Sequence, residues 1–365
     1  KDIPLENHGK MVAWDDFINS GNDINESEIH IKLNNINEND SASLIYTSGT
    51  TGNPKGVDLT HANWSFVVSR AEEILQFNQG EKYVSWLPLA HVFGQLVDNH
   101  SWIKDATHLH VVDNPLSVID YAKEVKPHLF IGVPRIYEKI YSNLKSVIDS
   151  KTVIRVGLKI PLVSSIFKGL LKNAVGFSNI RYAGTGAAPI NPEILKLFLS
   201  LDIPIYEGYG MTENTAIATT NYEGNNKIGT VGKAINETEI KIADDGEILI
   251  RGKHVMKGYY KNQEATNETV INEWLHTGDI GKIDAEGYLS ITGRIKEIYV
   301  SSGGKNIAPL VIEETMKSIP LVSQCYLVGD KRKYCTALFT LDVGVILRDK
   351  VHVERNKIPK DPNEQ

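Results

Sequence analysis

Between about residues 60 and 200, short apolar runs alternate with stretches of helical spacing, and this alternation limits the fold more than any other feature of the chain. Ala62 to Gln76 repeats apolar side chains at helical intervals. Tyr83-Val84-Ser85-Trp86-Leu87 reads as a strand, as does His108-Leu109-His110-Val111-Val112. Leu116 to Val125 is helical again, and Leu129-Phe130-Ile131-Gly132-Val133 is a strand ended by Pro134. Asn191 to Ser200 predicts a helix with proline at its second position, where helix starts tolerate it. Strands alternating with helices build an α/β sandwich with much parallel sheet.

The texture changes on both sides of this region. Residues 1–40 are rich in Asn, Asp and Glu; Val12-Ala13-Trp14 and Phe17-Ile18 predict one short helix, and the rest reads as loop. After about residue 228 come Ile240-Lys241-Ile242, Gly246 to Gly252 and Gly287 to Gly293, short strands with turn residues between them. That is a β-rich lobe. A small α+β unit then begins near residue 297, with a helix over Ile307 to Ser318 and strands over Gln324 to Val328 and Thr336 to Thr340.

Bulk properties exclude several classes. The 365 residues carry a net charge of −6, so nothing global favours nucleic acid, although phosphates are gripped locally whatever the overall charge. Cys325 and Cys335 form no Cys-x-x-Cys pattern and have no His cluster nearby, which argues against a disulfide framework or a zinc site and for a reducing compartment. No run approaches the roughly 18 apolar residues that span a bilayer. The chain opens at Lys1 without a signal peptide, so it reads as starting inside a longer protein.

The chemistry concentrates in a few loops. Residues 46–57 read Tyr-Thr-Ser-Gly-Thr-Thr-Gly-Asn-Pro-Lys-Gly-Val, after the apolar run Ser43-Leu44-Ile45-Tyr46. Gly49, Gly52 and Gly56 let backbone N–H groups turn toward an anion. The hydroxyls of Thr47, Ser48, Thr50 and Thr51 can donate to phosphate oxygens or bind a metal, and Lys55 adds a point charge. Lys55 precedes Gly56 and a β-forming Val57, so this is not a Walker A loop. In Tyr206-Glu207-Gly208-Tyr209-Gly210-Met211-Thr212-Glu213, two glycines bracket an aromatic ring able to stack on a purine. Thr212 offers a hydroxyl to a phosphate, and Glu213 offers a hard oxygen suited to Mg²⁺.

The loop at 46–57 resembles the phosphate loop of the adenylate-forming superfamily, which unites acyl-CoA synthetases, luciferases and peptide-synthetase adenylation domains. The later motifs fall in that family's order. By this resemblance Ala183-Gly184-Thr185-Gly186-Ala187-Ala188-Pro189 lines an adenine pocket, with Gly186, Ala187, Ala188, Glu207, Gly208, Tyr209 and Gly210 around the nucleotide. Thr50 and Glu213 would hold the metal. Asp279, in Leu275-His276-Thr277-Gly278-Asp279 at the end of a long turn, would accept from the ribose diol, and Arg294 would assist at ribose or phosphate. Lys296 matches the hinge about which the family's small domain rotates, and Gly303 and Gly304 would let pantetheine approach.

Two further segments, Leu87 to Gly94 and Val133-Pro134-Arg135-Ile136-Tyr137-Glu138-Lys139-Ile140, resemble the long-chain branch. His91 would lie near the substrate carboxylate, and the second segment would wall an acyl tunnel. The implied division is a partial N-terminal segment at 1–40, a large ATP- and acyl-binding domain at 41–296 with its β-rich lobe at about 228–293, and a truncated, mobile C-terminal domain at 297–365.

The implied activity is a fatty acid–CoA ligase using ATP, Mg²⁺ and coenzyme A, in the cytoplasm or on the cytoplasmic face of a membrane. Two other readings stay open: loading of a carrier-protein thiol from acyl-AMP, and a nucleotide-binding module without complete chemistry. Acyl length and oligomeric state are not encoded in these motifs. The family's late adenylation lysine belongs to a Pro-Thr-x-Lys-type segment; none is present, and Lys357 and Lys360 do not match it. The polypeptide as written is therefore expected to bind ATP but adenylate poorly.

One feature is independent of the resemblance. Ser150 through Asn191 contains no Asp or Glu, yet holds Lys151, Arg155, Lys159, Lys168, Lys172 and Arg181 among many apolar residues. Such a stretch over 151–181 suits either an anionic membrane surface or a helix pair packed on the core.

Overall fold

A computed structural model describes residues 12–22, 24–47, 53–76, 78–300, 306–317, 319, 321–330, 332 and 334–341, excepting the side chains of residues 105, 300 and 306. Its centre is a seven-stranded sheet. The strands run in the spatial order His108–Val111, Lys82–Ser85, Leu129–Gly132, Tyr182–Thr185, Ile205–Tyr209, Thr219–Thr220 and Lys233–Ala234. The first five are mutually parallel and the last two join antiparallel. The expected α/β architecture is present, with strands one or two residues shorter than the apolar runs at their C-terminal ends.

Alternation along each strand sends neighbours to opposite faces. Tyr83, Leu129, Ile131, Tyr182 and Tyr206 enter one core with the helix His61–Leu75. Val84, Phe130, Ala183 and Ile205 enter the other with Val118–Val125, Pro134–Ser150 and Pro192–Ser200. Phe130, Phe177 and Phe198 are fully buried in that second core. Each contributes roughly 1.5–3 kcal/mol by burial.

A three-stranded sheet, Ser41–Thr47 with Lys55–Thr60 and Gly258–Tyr259, packs on the first core through Ile45, Val57 and Leu59. The β-rich lobe is a separate sheet of Glu239–Ile242, Glu247–Arg251, Trp274–Ile283, Val270–Ile271 and Leu289–Arg294. Beyond it lie a hairpin of Tyr299–Val300 with Asn306–Ile307, the helix Pro309–Lys317, and a hairpin of Val322–Val328 with Thr336–Leu341. Cys325 and Cys335 are both free, Cys325 buried within its strand. Among the described residues no helix is long and apolar enough to cross a membrane.

Three expectations need correction. Residues 1–40 hold two helices, Trp14–Asn19 and Glu26–Asn34, not one. The second is started by Asn25, whose side chain accepts from Ser27 N, with Glu26 and Glu28 in its first turn. Ile29, Ile31 and Leu33 on it are all exposed, so no apolar stripe announced it. The segment Leu275 to Asp279 is not a turn: it lies inside the strand Trp274–Ile283, where Gly278 at φ 71° lets the strand bend. Finally, Lys168 and Arg181 do not belong to an open basic surface. Lys168 Nζ donates to Asp202 Oδ1 at 2.8 Å, and Arg181 grips Glu81 with two bonds of 2.7 and 2.6 Å.

Candidate active site

The parallel strands Tyr182–Thr185 and Ile205–Tyr209 are hydrogen-bonded neighbours, and the loops leaving their carboxyl ends carry most of the nucleotide candidates. In open α/β sheets that edge is where ligands bind. Gly186 lies against the carbonyl oxygen of Gly208, where a Cβ would stand 3.2 Å away. Ala187 adopts φ 66° and, with Ala188, is exposed, so this loop presents bare backbone at the edge. Gly210 crosses the backbone of Ala216 so closely that no side chain fits there. That crossing folds Thr212–Asn214 into a single tight turn and buries Thr212 and Glu213. Burial pushes the Glu207 carboxyl up to about 8, against a hydrogen bond from the Ile190 backbone that lowers it.

Glu213 is linked to the loop at 46–57 through a residue that the sequence motifs did not mark. Tyr259 donates its hydroxyl to Glu213 Oε1 at 2.8 Å, and Lys55 Nζ lies 4.7 Å over the Tyr259 ring. Burial, then the Glu213 charge, pushes the Tyr259 hydroxyl up, so it remains a proton donor. The strand Gly258–Tyr259 pairs with Lys55–Thr60, and Tyr260 N donates to Gly56 O at 2.7 Å. Asn63 holds the preceding segment, donating from Nδ2 to the carbonyls of Lys253 and Val255. Thr47 and Lys55 face each other across the antiparallel pair. Ser48, Gly49, Thr50, Thr51 and Gly52 lie outside the described residues, as do Gly303 and Gly304.

Asp279 is joined to the same strand end. Tyr209 donates its hydroxyl to Asp279 Oδ2 at 2.8 Å, and Arg294 Nε donates to Oδ1 at 2.9 Å. Burial, then the Asp279 charge, holds the Tyr209 hydroxyl well above its ordinary range. Asp279 is buried, while the Arg294 side chain is about half exposed (54%). Glu247, also buried, fixes the bend before Asp279 by accepting from Gly278 N at 2.8 Å and bonding His276 Nδ1 at 2.7 Å. Lys296 follows in the exposed turn Ile295–Glu297. The candidates near 55, 209–213 and 279–294 thus form one linked set: Lys55, Tyr259 and Glu213 on one side, and Tyr209, Asp279 and Arg294 on the other.

No group of three or more His, Cys, Asp or Glu suited to a metal exists among the described residues. Glu213 still suits Mg²⁺. Tyr259 occupies only its Oε1 and no described residue bonds Oε2, which leaves one hard oxygen for an ion that takes its other ligands from phosphate and water.

An apolar cavity of about 60 Å³ begins on the same two strands. Gly184, Thr185 and Gly208 line it at the sheet, with Phe93, Leu96, Val97, Ala71 and Ile217 around them. His91 sits two residues before Phe93 at an exposed helix start, its Nδ1 accepting from Phe93 N at 3.2 Å. The segment Val133 to Ile140 does not line this cavity. It packs in the opposite core, where the Tyr137 hydroxyl donates to the carbonyls of Phe130 and Gly184.

Residues 5–260 match the AMP-binding enzyme family. The long-chain-fatty-acid–CoA ligase ACSBG2 of Xenopus laevis is 36% identical over 384 residues, covering 94% of this chain and 52% of that protein. The long-chain-fatty-acid–CoA ligase FadD15 of Mycobacterium bovis is 34% identical over 356 residues, covering 90% of this chain and 59% of that protein. The chain therefore spans between half and three-fifths of the length of these relatives. Among solved structures, o-succinylbenzoate CoA synthetase of Bacillus subtilis with its acyl-adenylate intermediate superposes with a TM-score of 0.66 at 26% identity, covering 89% of this chain and 65% of that one. The same enzyme in complex with ATP and magnesium ion gives 0.65 at 26% identity, with 89% and 66% covered. The chain belongs to the AMP-binding enzyme family and shares the fold of acyl-adenylate-forming CoA synthetases.

Proposed function

We propose that the chain serves ATP-dependent activation of a long-chain fatty acid as acyl-AMP, followed by transfer of the acyl group to the thiol of coenzyme A. One observation supports this reading: the polar side chains Glu207, Tyr209 and Glu213, with Asp279 bonded to Tyr209, and the apolar cavity of Phe93, Leu96 and Ile217 adjoin the ends of the same two strands. A carboxylate seated at the mouth of the cavity would present its oxygens toward those polar groups. Relatives named as long-chain-fatty-acid–CoA ligases support the acyl class.

In this reading the backbone and hydroxyls of Thr47, Ser48, Gly49, Thr50, Thr51 and Gly52, with Lys55, hold the phosphates. Glu213 and Thr50 would hold Mg²⁺, which neutralises charge on them. Tyr209 backs the base, with Gly186, Ala187, Ala188, Gly208 and Gly210 as bare floor. Glu207 would hydrogen-bond the base edge in its protonated form. Asp279 takes the ribose diol: its two oxygens accept one bond each within the protein, and each keeps a lone pair. Thr212 and Arg294 neutralise the α-phosphate as the carboxylate attacks phosphorus and pyrophosphate leaves. Such a step gains mostly from positioning and preorganised charge. His91, with Nε2 turned away from its capping bond, orients the carboxylate. For the second step residues from 297 onward rotate as a body about Lys296, and Gly303 and Gly304 line the pantetheine path.

The test is fatty-acid-dependent exchange of labelled pyrophosphate into ATP, followed by thioester formation with CoA or with a carrier protein as acceptor. The reading expects exchange with long-chain acids and thioester with free CoA, at rates well below those of a chain that carries the late adenylation lysine. Exchange supported equally by acetate and by palmitate would remove the acyl assignment.

A further inference from the structure

The helix Pro161–Ala174 has no charged residue on its outer face. Leu162, Ile166 and Leu170 recur every four residues and are 91, 61 and 60% exposed, with only Ser165, Gly169 and Asn173 between them. Its inner face is apolar as well: Leu171 is buried in the second core, and Phe167 covers Gly157 of the preceding helix Thr152–Gly157 so closely that no Cβ fits there. Val153, Val156 and Ile160 on that helix and the link are exposed too. A helix that is apolar on both its inner and its outer side is normally covered on both. This one is covered by described residues on one side only.

Charge says what covers the other side. Residues 150–191 contain no acid, and Lys151, Arg155, Lys159 and Lys172 form no ion pair with any described residue. Lys168, which does pair, turns away to Asp202. A second copy docking by two-fold symmetry would press this patch against itself, bringing eight unneutralised cations together (four from each copy). An anionic lipid surface neutralises them and takes up the leucine stripe.

We infer that the helix pair 152–174 lies in the interface of an anionic bilayer, with Leu162, Ile166 and Leu170 below the headgroups and Lys151, Arg155, Lys159 and Lys172 among them. This surface lies on the core opposite the apolar cavity, so it docks the protein rather than opening the cavity to lipid. The inference does not depend on the catalytic reading.

The experiment is co-sedimentation of the whole chain with phosphatidylcholine vesicles, with and without phosphatidylserine. Binding is expected only with phosphatidylserine, weakening roughly fivefold for each basic residue neutralised. The double charge reversal Arg155→Glu/Lys159→Glu and the double variant Leu162→Asp/Ile166→Asp should each abolish it. All four positions are exposed, so melting temperature and circular dichroism should not change. Failure of the parent chain to bind phosphatidylserine vesicles would overturn the inference, as would unchanged binding by both variants. A lipid-free dimer that Leu162→Asp dissolves would instead assign the face to a second copy.

Discussion

The Tyr259 hydroxyl lies 2.8 Å from Glu213 Oε1 and donates to it, so a short strand paired with the Lys55 strand holds the buried carboxylate proposed to bind a magnesium ion. The bond fixes one carboxylate oxygen, and no described residue bonds the other. Nothing local in the sequence predicts it, because the partners are 46 residues apart.

Tyr259→Phe keeps the ring under Lys55 and removes this bond. A hydrogen bond to a charged group is worth roughly 1.5–3 kcal/mol. Affinity for magnesium–ATP should fall about tenfold or more in calorimetric titration. Glu213→Gln should lose the magnesium dependence of nucleotide binding altogether. Unchanged affinity in both variants would remove Glu213 from the metal site.

Tyr209 and Asp279 should act as a unit. Asp279→Asn is expected to weaken ATP binding by roughly tenfold while affecting 2′-deoxy-ATP less, since one ribose hydroxyl is then absent already. Tyr209→Phe should cost part of the same energy. A double-mutant cycle on ATP affinity should give a coupling of about 0.5–3 kcal/mol. Additive effects would show that the bond does not position Asp279.

Glu207 predicts a pH dependence. Its carboxyl is pushed from an ordinary 4.5 up to about 8, so the folded chain keeps a proton that the unfolded chain releases. The stabilisation is full below about 4.5 and is lost as pH rises toward about 8. The slope is at most about 1.4 kcal/mol per pH unit. Glu207→Gln should flatten the fall in melting temperature across that window. An equally steep fall in the variant would place the titrating group elsewhere.

Much of this architecture was legible in the sequence. The strands at 82–85 and 129–132 and the helix at 61–75 announced themselves because alternation and helical spacing are set by which side chains are buried. Lys55 and Glu213 were marked by chemistry that suits phosphate and magnesium, and Asp279 by the family resemblance; the structure links Lys55 to Glu213 through Tyr259 and Asp279 to Tyr209. The supports were not legible. Tyr259, Asn63 and Glu247 act on residues far along the chain, and a lone Tyr, Asn or Glu carries no local signature. Tyr137 was misplaced for a related reason. Its segment is helical either way, and only the sheet decides which face it covers.

The tyrosines at 182 and 206 predict an acyl-length effect. Their rings lie 5.0 Å apart and line both the apolar cavity and a polar one bounded by Arg181, Glu73 and Glu223. Tyr206→Val should join the two spaces and raise activity on longer relative to shorter acyl chains, at some cost in stability from the void. Ile217→Trp should fill the cavity and shift preference to shorter acids. A chain-length profile unchanged by both would mean that the acyl group lies elsewhere.

A non-hydrolysable fatty acyl-sulfamoyl adenosine spans both halves of the proposed site. Its displacement of bound ATP and of bound fatty acid, followed by calorimetry, asks whether the crevice and the cavity form one site. One molecule should displace both ligands competitively, and Asp279→Asn and Ile217→Trp should each weaken it. Binding that leaves either ATP or fatty acid in place would contradict the shared site.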